Sequence, residues 1–287
     1  MAVNMKSVKQ RIRSVQNMMQ ITKAMELVAS SKLRKAMERA EHCRPYSRML
    51  YRTLKDIAVH AQDISSVYVK NAVSSKGCYV VIAGDRGLAG GYHTNLFKCL
   101  EADTAQKEWL ILPVGRKALE YSRHRNIECL SEQFARVEKI GMEDCREMSR
   151  MLCMAFQEGR FGHLELCCTR FFSMLSQQPE SIPVLPLSDL KEEQGESGQN
   201  VSHLPIYEPD AAAVFEAIVP EYVSGLLYGG VCESLASELA ARRTAMEAAS
   251  SNAEEIIARL SLHYNRVRQA GITQEITEII GGAETGS

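Results

Sequence analysis

The sequence predicts an α/β fold in which a helical rod is built from both ends of the chain and carries a three-layer α/β insert between them. Two observations lead there. Apolar residues recur at alternating spacings of three and four along the first sixty residues and again along the last sixty. That heptad rhythm marks helices wound around one another. Between the ends, β-branched runs alternate with amphipathic stretches, the order expected of strands and covering helices. The boundaries fall at 1–62 for the N-terminal helix, 75–190 for the insert, 188–207 for a mobile loop and 208–287 for the C-terminal helix.

The N-terminal seam reads Val8, Ile12, Val15, Met19, Thr22, Glu26, Ala29, Leu33, Ala36, Ala40. A helix of about fifty residues at ~1.5 Å per residue reaches roughly 75 Å. It is expected to start near Asn4, an N-cap residue type, and to run to His60. Pro45 lacks an amide hydrogen and is expected to kink it or start a new segment. Asp63 to Lys76 is polar and reads as a connector.

Gly77–Ala83 is a continuous apolar run of the kind buried in a parallel sheet. The turn Gly84-Asp85-Arg86-Gly87-Leu88-Ala89-Gly90-Gly91 follows, then a helix from Tyr92 to Ala102. Trp109–Val114 is a second strand, Arg116–Arg125 a helix, and 141–158 an amphipathic helix with Met142, Cys145, Met148 and Leu152 on one face. His163–Phe172 alternates as a strand. Ile182–Leu187 is a shorter strand with edge character from its prolines. The set reads as a Rossmann-like insert. Residues 188–203 are polar and Gly/Ser-containing, hence the mobile loop.

Glu208-Pro209-Asp210 places a proline where the first turn of a helix tolerates it. The C-terminal seam then reads Leu235, Leu239, Arg242, Met246, Ala249, Ala253, Ile256, Leu260, Tyr264, Val267. Pro220 is expected to break this helix once, Gly229-Gly230 to weaken it, and Gly281-Gly282 to end it in a frayed tail.

Composition narrows the function. The chain has 287 residues, 45% hydrophobic but only 6% aromatic, which suits long Ala/Leu/Met helices. It holds no unbroken run of eighteen apolar residues and no apolar leader at its start, so neither a membrane span nor export is expected. Nine cysteines without a C-x-x-C pair read as reduced thiols, and no metal site is expected. Net charge is −1, yet residues 1–60 hold about thirteen Lys/Arg against four Asp/Glu. A solvated helix face explains that, as does a surface meeting an acidic partner. Nucleic acid is disfavoured, because aromatic residues are nearly absent among the basic ones and no base-reading motif occurs.

Catalytic signatures are missing: G-x-S-x-G and H-E-x-x-H do not occur, and the seven histidines stand singly. The glycine-rich segment 84–91 sits where a phosphate cradle would. It lacks the P-loop ending, however, and its spacing is not G-x-G-x-x-G. A tight structural turn projecting Arg86 is the preferred reading; direct nucleotide binding is the alternative. Two rival functions stay in view, a Rossmann-like enzyme with helical extensions and a basic coiled-coil adaptor for nucleic acid.

Three stretches together resemble the gamma subunit of the F-type, proton-translocating ATP synthase of bacteria. They are Ile21–Lys35 with Arg44-Pro45-Tyr46, Gly84–Gly91 with Asn95–Lys98, and Tyr264–Ala283. The resemblance spans essentially the whole chain. It implies that the terminal helices form a long antiparallel coiled coil penetrating the alpha/beta catalytic hexamer as an asymmetric shaft. It further implies an insert outside the hexamer near the epsilon subunit and the membrane c-ring, no cofactor, and no catalytic residues in this chain. The implied place is the cytoplasmic face of a bacterial inner membrane. Residue by residue, Lys23 and Met25 fall in the segment near the lever of the catalytic subunit. Arg86 belongs to the loop that approaches the lever region. Arg268, Gln269, Thr273 and Glu275 fall in the segment that catches loops of the catalytic subunits. Arg242, an arginine on a seam, reads as a polar contact to a partner. Gly229-Gly230 replaces the good helix formers of relatives and is expected to bend the shaft locally.

Overall fold

The computed structural model describes residues 2–60, 66–69, 74–187 and 207–284. The chain divides into two compact units, Met1–Ser30 with Arg242–Ser287, and Ser31–Ala241. Helix α1 (Ala2–His60) and helix α5 (Ala211–Glu284) each contribute to both.

The larger unit holds β1 (Gly77–Ile82), α2 (Tyr92–Asp103), β2 (Trp109–Val114), α3 (Arg116–His124), a 3-10 turn at Val137–Lys139, α4 (Met142–Gln157), β3 (His163–Phe171) and β4 (Gln177–Leu185). The sheet order is β2-β1-β3-β4. Strand β1 runs parallel to β2 and β3, and β4 closes the sheet antiparallel to β3. Strand β1 is buried along its whole length, as its unbroken apolar run requires. Its alternate side chains feed two cores. Cys78, Val80 and Ile82 join Leu54 and Ile57 of α1, Met148 and Leu152 of α4, and Phe215, Val219 and Val223 of α5. Tyr79 and Val81 face Leu96 and Leu100 of α2 and Ala118 of α3. Helices therefore cover both faces, which makes three layers. The neighbours Cys167 and Cys168 divide between those cores, as the period of two demands. Burying Leu54 or Ile57 fully is worth about 1.5–3 kcal/mol each.

Strand β4 starts at Gln177, five residues before the expected Ile182, because pairing with β3 extends to Phe171 opposite Gln177. The polar run 177–181 shows no alternation to betray it. Prolines in the sheet lie on its two outer strands, Pro113 on β2 and Pro179 and Pro183 on β4.

Both long helices run unbroken through their prolines, so Pro45 starts no new segment and the break expected at Pro220 does not occur. A proline deletes one amide donor, but neighbouring contacts hold the path. Beside Pro45, Arg44 Nε reaches Glu233 at 3.0 Å, and the Tyr46 ring lies 3.2 Å from where a Cβ on Gly225 would sit. The Pro220 carbonyl accepts a 2.6 Å hydrogen bond from Ser149 Oγ of α4. Gly229-Gly230 also lies within continuous helix. A Cβ on Gly230 would stand 3.1 Å from Ile82 Cδ1 and Leu166 Cδ2, so the missing side chain lets α5 lie close on the sheet. Residues of α1 and α5 meet in opposite order, Cys43 at Cys232 and Tyr51 at Tyr222, so the helices are antiparallel.

Helix α1 begins at Ala2, two residues before the expected cap. Helix α5 begins at Ala211 rather than 208, capped by Asp210 Oδ1, which accepts the Ala213 amide at 2.8 Å. Pro209 precedes that cap. Helix α5 continues to Glu284 past Gly281-Gly282, since glycine permits a stop without imposing one. The expected loop at 188–207 lies outside the described residues up to 206, as does the connector over 61–65 and 70–73, and the tail over 285–287. Within Ala211–Thr277 an eighteen-residue stretch reaches mean hydropathy 1.2, apolar enough by composition to cross a membrane. Much of α5's apolar surface is engaged by the core instead, through Phe215, Val219, Val223, Leu227 and Val231.

In the smaller unit, Val8 and Ala29 of α1 are buried, and Ile12, Val15, Met19 and Thr22 half-buried. On α5, Met246, Ser250 and Ala253 are buried, followed by half-buried Ile257, Leu260, Tyr264, Val267 and Gly271. The expected seam residue Ile256 is instead 43% exposed. The true seam steps from Ala253 to Ile257, because Ser250 occupies the preceding inner position. Its hydroxyl lies 2.7 Å from that of Thr22, and Ser250 is the member of this polar pair that the apolar pattern passes over.

Candidate coupling surfaces

The residues singled out from the sequence fall on two surfaces, one in each unit. In the smaller unit Lys23 Nζ lies 2.7 Å from Glu254 Oε1, with both side chains more than half exposed. Lys23 thus has an intramolecular partner across the two helices. Met25 is half-buried. Met18, Ile21 and Val28 are 60%, 61% and 57% exposed, and the 3-4-3 spacing puts them on one face with Met25. This apolar stripe lies beside the seam and turns outward.

Arg242 is half-buried on α5. Arg268, Gln269, Thr273 and Glu275 are all exposed. Thr273 Oγ1 donates to the Gln269 carbonyl at 3.0 Å, and Thr277 Oγ1 to the Thr273 carbonyl at 2.9 Å. These threonines turn their hydroxyls back onto the helix and leave their methyls outward. Sequence reasoning missed the apolar neighbours of this set. Ile272, Ile276, Ile279 and Ile280 are 49–72% exposed and share one helix face. The signal was present in their i, i+4, i+7, i+8 spacing, but a seam search assigns such residues to the helix partner.

In the larger unit, the turn after β1 is organised by Asp85. Its Oδ1 accepts the backbone amides of Arg116 at 3.1 Å and Val137 at 3.0 Å, and its Oδ2 that of Glu138 at 3.3 Å. The Arg116 amide opens helix α3, where an anion is favoured by free N–H groups and the helix dipole. Here the chain's own carboxylate fills that place. The Gly84 carbonyl accepts the Lys117 amide at 3.0 Å, and Tyr92 Oη donates to the Ser234 carbonyl of α5 at 3.1 Å. A Cβ on Gly84 would meet the carboxyl of the buried Glu238, which would have to shift to admit it. Leu88 has φ 63° and is 63% exposed at the tip. Arg86 is exposed, and its carbonyl accepts from His93 Nε2 at 3.0 Å. The turn is a braced projection, as preferred from the sequence.

Among the described residues, no group of three or more His, Cys, Asp or Glu side chains is placed to hold a metal ion. Burial raises the thiols of Cys145 and Cys167 to about 12, so they rest protonated in the core.

A family model described as ATP synthase matches residues 4–285. An ATP synthase gamma chain of Ruminococcus albus is 43% identical over 281 residues, covering 96% of each chain. A gamma chain from Acetobacterium woodii, named as sodium ion specific, is 38% identical and covers 99% of each. The fold matches a chain in the Euglena gracilis mitochondrial ATP synthase structure of OSCP, F1 and c-ring, with TM-score 0.70 and 20% identity. That match covers 99% of this chain and 95% of the other.

Proposed function

The chain belongs to the ATP synthase gamma-chain family and is the central shaft subunit of that membrane-associated enzyme complex, and we propose that its smaller unit transmits torque through two outward apolar stripes. The observation that carries this reading is the pairing of one inward seam with the exposed stripes Met18/Ile21/Met25/Val28 and Ile272/Ile276/Ile279/Ile280. Exposed apolar surface of this extent marks a contact with another chain.

The proposed partners are the alpha and beta subunits of the catalytic hexamer, with the epsilon subunit and the membrane c-ring beside the larger unit. A shaft changes a catalytic site only by contacting its conformations differently. Two unlike faces on one rod supply that difference to three equivalent subunits. Exposed Lys6, Lys9, Arg11 and Arg13 complement acidic segments of those subunits. Lys23, Met25, Arg242, Arg268, Gln269, Thr273 and Glu275 act at these contacts, and Arg86 acts from the braced turn. The chain supplies no catalytic residue, and chemistry stays with its partners. Protons drive the ring, and the assembly sits on the cytoplasmic face of a bacterial inner membrane. The division into a terminal helix at each end and an α/β domain over 75–190 follows the same separation of duties.

Against a nucleotide-binding role stands the Asp85 carboxylate at the amides a phosphate would use. The test is reconstitution with alpha and beta subunits from the same source. A stoichiometric complex with ATPase above that of alpha and beta alone is expected. Binding or turnover of ATP by this chain alone would overturn the reading.

A further inference from the structure

Cys43 of α1 and Cys232 of α5 place their sulfurs 3.8 Å apart within the larger unit. We propose that these two thiols form a reversible disulfide, a modification site that pins α1 to α5 when a peroxide-class oxidant reaches the reduced chain. A disulfide needs about 2.05 Å between sulfurs, so the pair must close by roughly 1.8 Å through side-chain rotation and helix movement. The neighbouring residues fix the register. Arg44, next to Cys43, holds Glu233, next to Cys232, at 3.0 Å.

Access is provided on both sides. Cys43 is half-buried rather than enclosed. Cys232 lines a cavity of about 320 Å³ whose basic residues are Lys32, Lys35 and Arg39, above a floor that includes Val231 and Leu235. A peroxide molecule fits there with room to spare. Burial pushes the Cys232 thiol up to about 12, and the Arg39 charge draws it back only in part. Burial raises Cys43 as well. The pair therefore rests as thiols, and Cys43, the more exposed, reacts first.

The steps balance. The Cys43 thiolate attacks one peroxide oxygen and the O–O bond breaks. The departing hydroxide takes the thiol proton to become water, leaving Cys43 as a sulfenic acid. Cys232 loses its proton as its sulfur attacks Cys43, the S–S bond forms, and hydroxide leaves as a second water. Two electrons from two thiols reduce one peroxide. A dithiol reductant reverses the link.

This inference rests on contact geometry and is independent of the shaft reading. Its test uses the full chain, fully reduced and then treated with hydrogen peroxide. Remaining thiols are alkylated, the chain is digested without reductant, and linked peptides are read by mass spectrometry. The expected result is one dominant Cys43–Cys232 link, with titratable thiols falling from nine to seven and returning with dithiothreitol. C43S and C232S should each abolish the link, whereas C145S should retain it. Because the decisive reading is on the unsubstituted chain, a folding defect in a variant does not blunt it. No loss of thiols, loss without this link, or a dominant link through Cys145 or another cysteine overturns the proposal.

Discussion

Replacing Asp85 should loosen the larger unit by an amount the structure lets one calculate. The carboxylate accepts three backbone amides, of Arg116, Val137 and Glu138. In D85A the Arg116 and Glu138 donors lie at exposed positions and water replaces the lost oxygen, at about 0.5 kcal/mol each. The Val137 amide is part-buried, and leaving it unsatisfied costs about 1–2 kcal/mol. Removing negative charge from the start of α3 adds about 0.5 kcal/mol. The total is about 2.5–3.5 kcal/mol. D85N keeps one acceptor oxygen for Val137 and should lose only about 1 kcal/mol. The chain's one tryptophan, Trp109, lies on β2 against Tyr79 at 5.5 Å between ring centroids, so its fluorescence reports this unit directly. With a urea slope of about 2–3 kcal/mol per molar, D85A should lower the midpoint by about 1 M, and D85N by less than half that. A midpoint unmoved in D85A, or equal losses in the two variants, would refute the bracing role assigned to this carboxylate.

Three further outcomes are expected. Gly115 has φ 95°, and a Cβ there would sit 1.9 Å from the Ala83 carbonyl, so G115A should cost about 3 kcal/mol or more, read in the same fluorescence titration. The Lys23–Glu254 pair is more than half exposed, and a K23A/E254A double-mutant cycle on thermal unfolding should return a coupling below about 1 kcal/mol. If K23A nonetheless reduces the ATPase of the reconstituted complex, the lysine acts on a partner. Finally, the I276S/I280S double variant removes exposed apolar groups and should leave helicity by circular dichroism unchanged while lowering ATPase with alpha and beta. A loss of helicity would instead place these residues in the fold.

What the sequence made legible follows physical lines. Strand β1 and the helices starting at Tyr92 and Arg116 were readable because burial on both faces or on one stripe leaves a periodic record. The polar half of β4 left none, since Gln177–Ser181 belongs to an outer strand selected by its pairing and not by apolar contact. The seam on α5 was read one residue out at Ile256, because Ser250 and Thr22 meet by hydroxyls at an inner position. The prolines misled for a related reason. A local rule says that Pro45 and Pro220 interrupt a helix, but the side chains around them fix the path regardless. At the candidate surfaces the polar residues were singled out, while the outward isoleucines near the C-terminus, beyond the seam's last residue Val267, were passed over. Periodicity reveals that a face is apolar and is silent on whether it faces its own chain or another.

The placement of prolines on β2 and β4 has a consequence for the time before assembly. A newly made shaft subunit must exist alone until its partners arrive. Each outer strand presents a row of amides and carbonyls on which another molecule's strand can grow, although the β2 row is already partly taken, Ile111 giving its amide to Glu128 and accepting that of Leu130. Pro113 on one border, and Pro179 and Pro183 on the other, delete donors from those rows. Both margins are thus guarded against sheet-to-sheet polymerisation, and the exposed isoleucine face on α5 is left as the adhesive surface a waiting subunit presents.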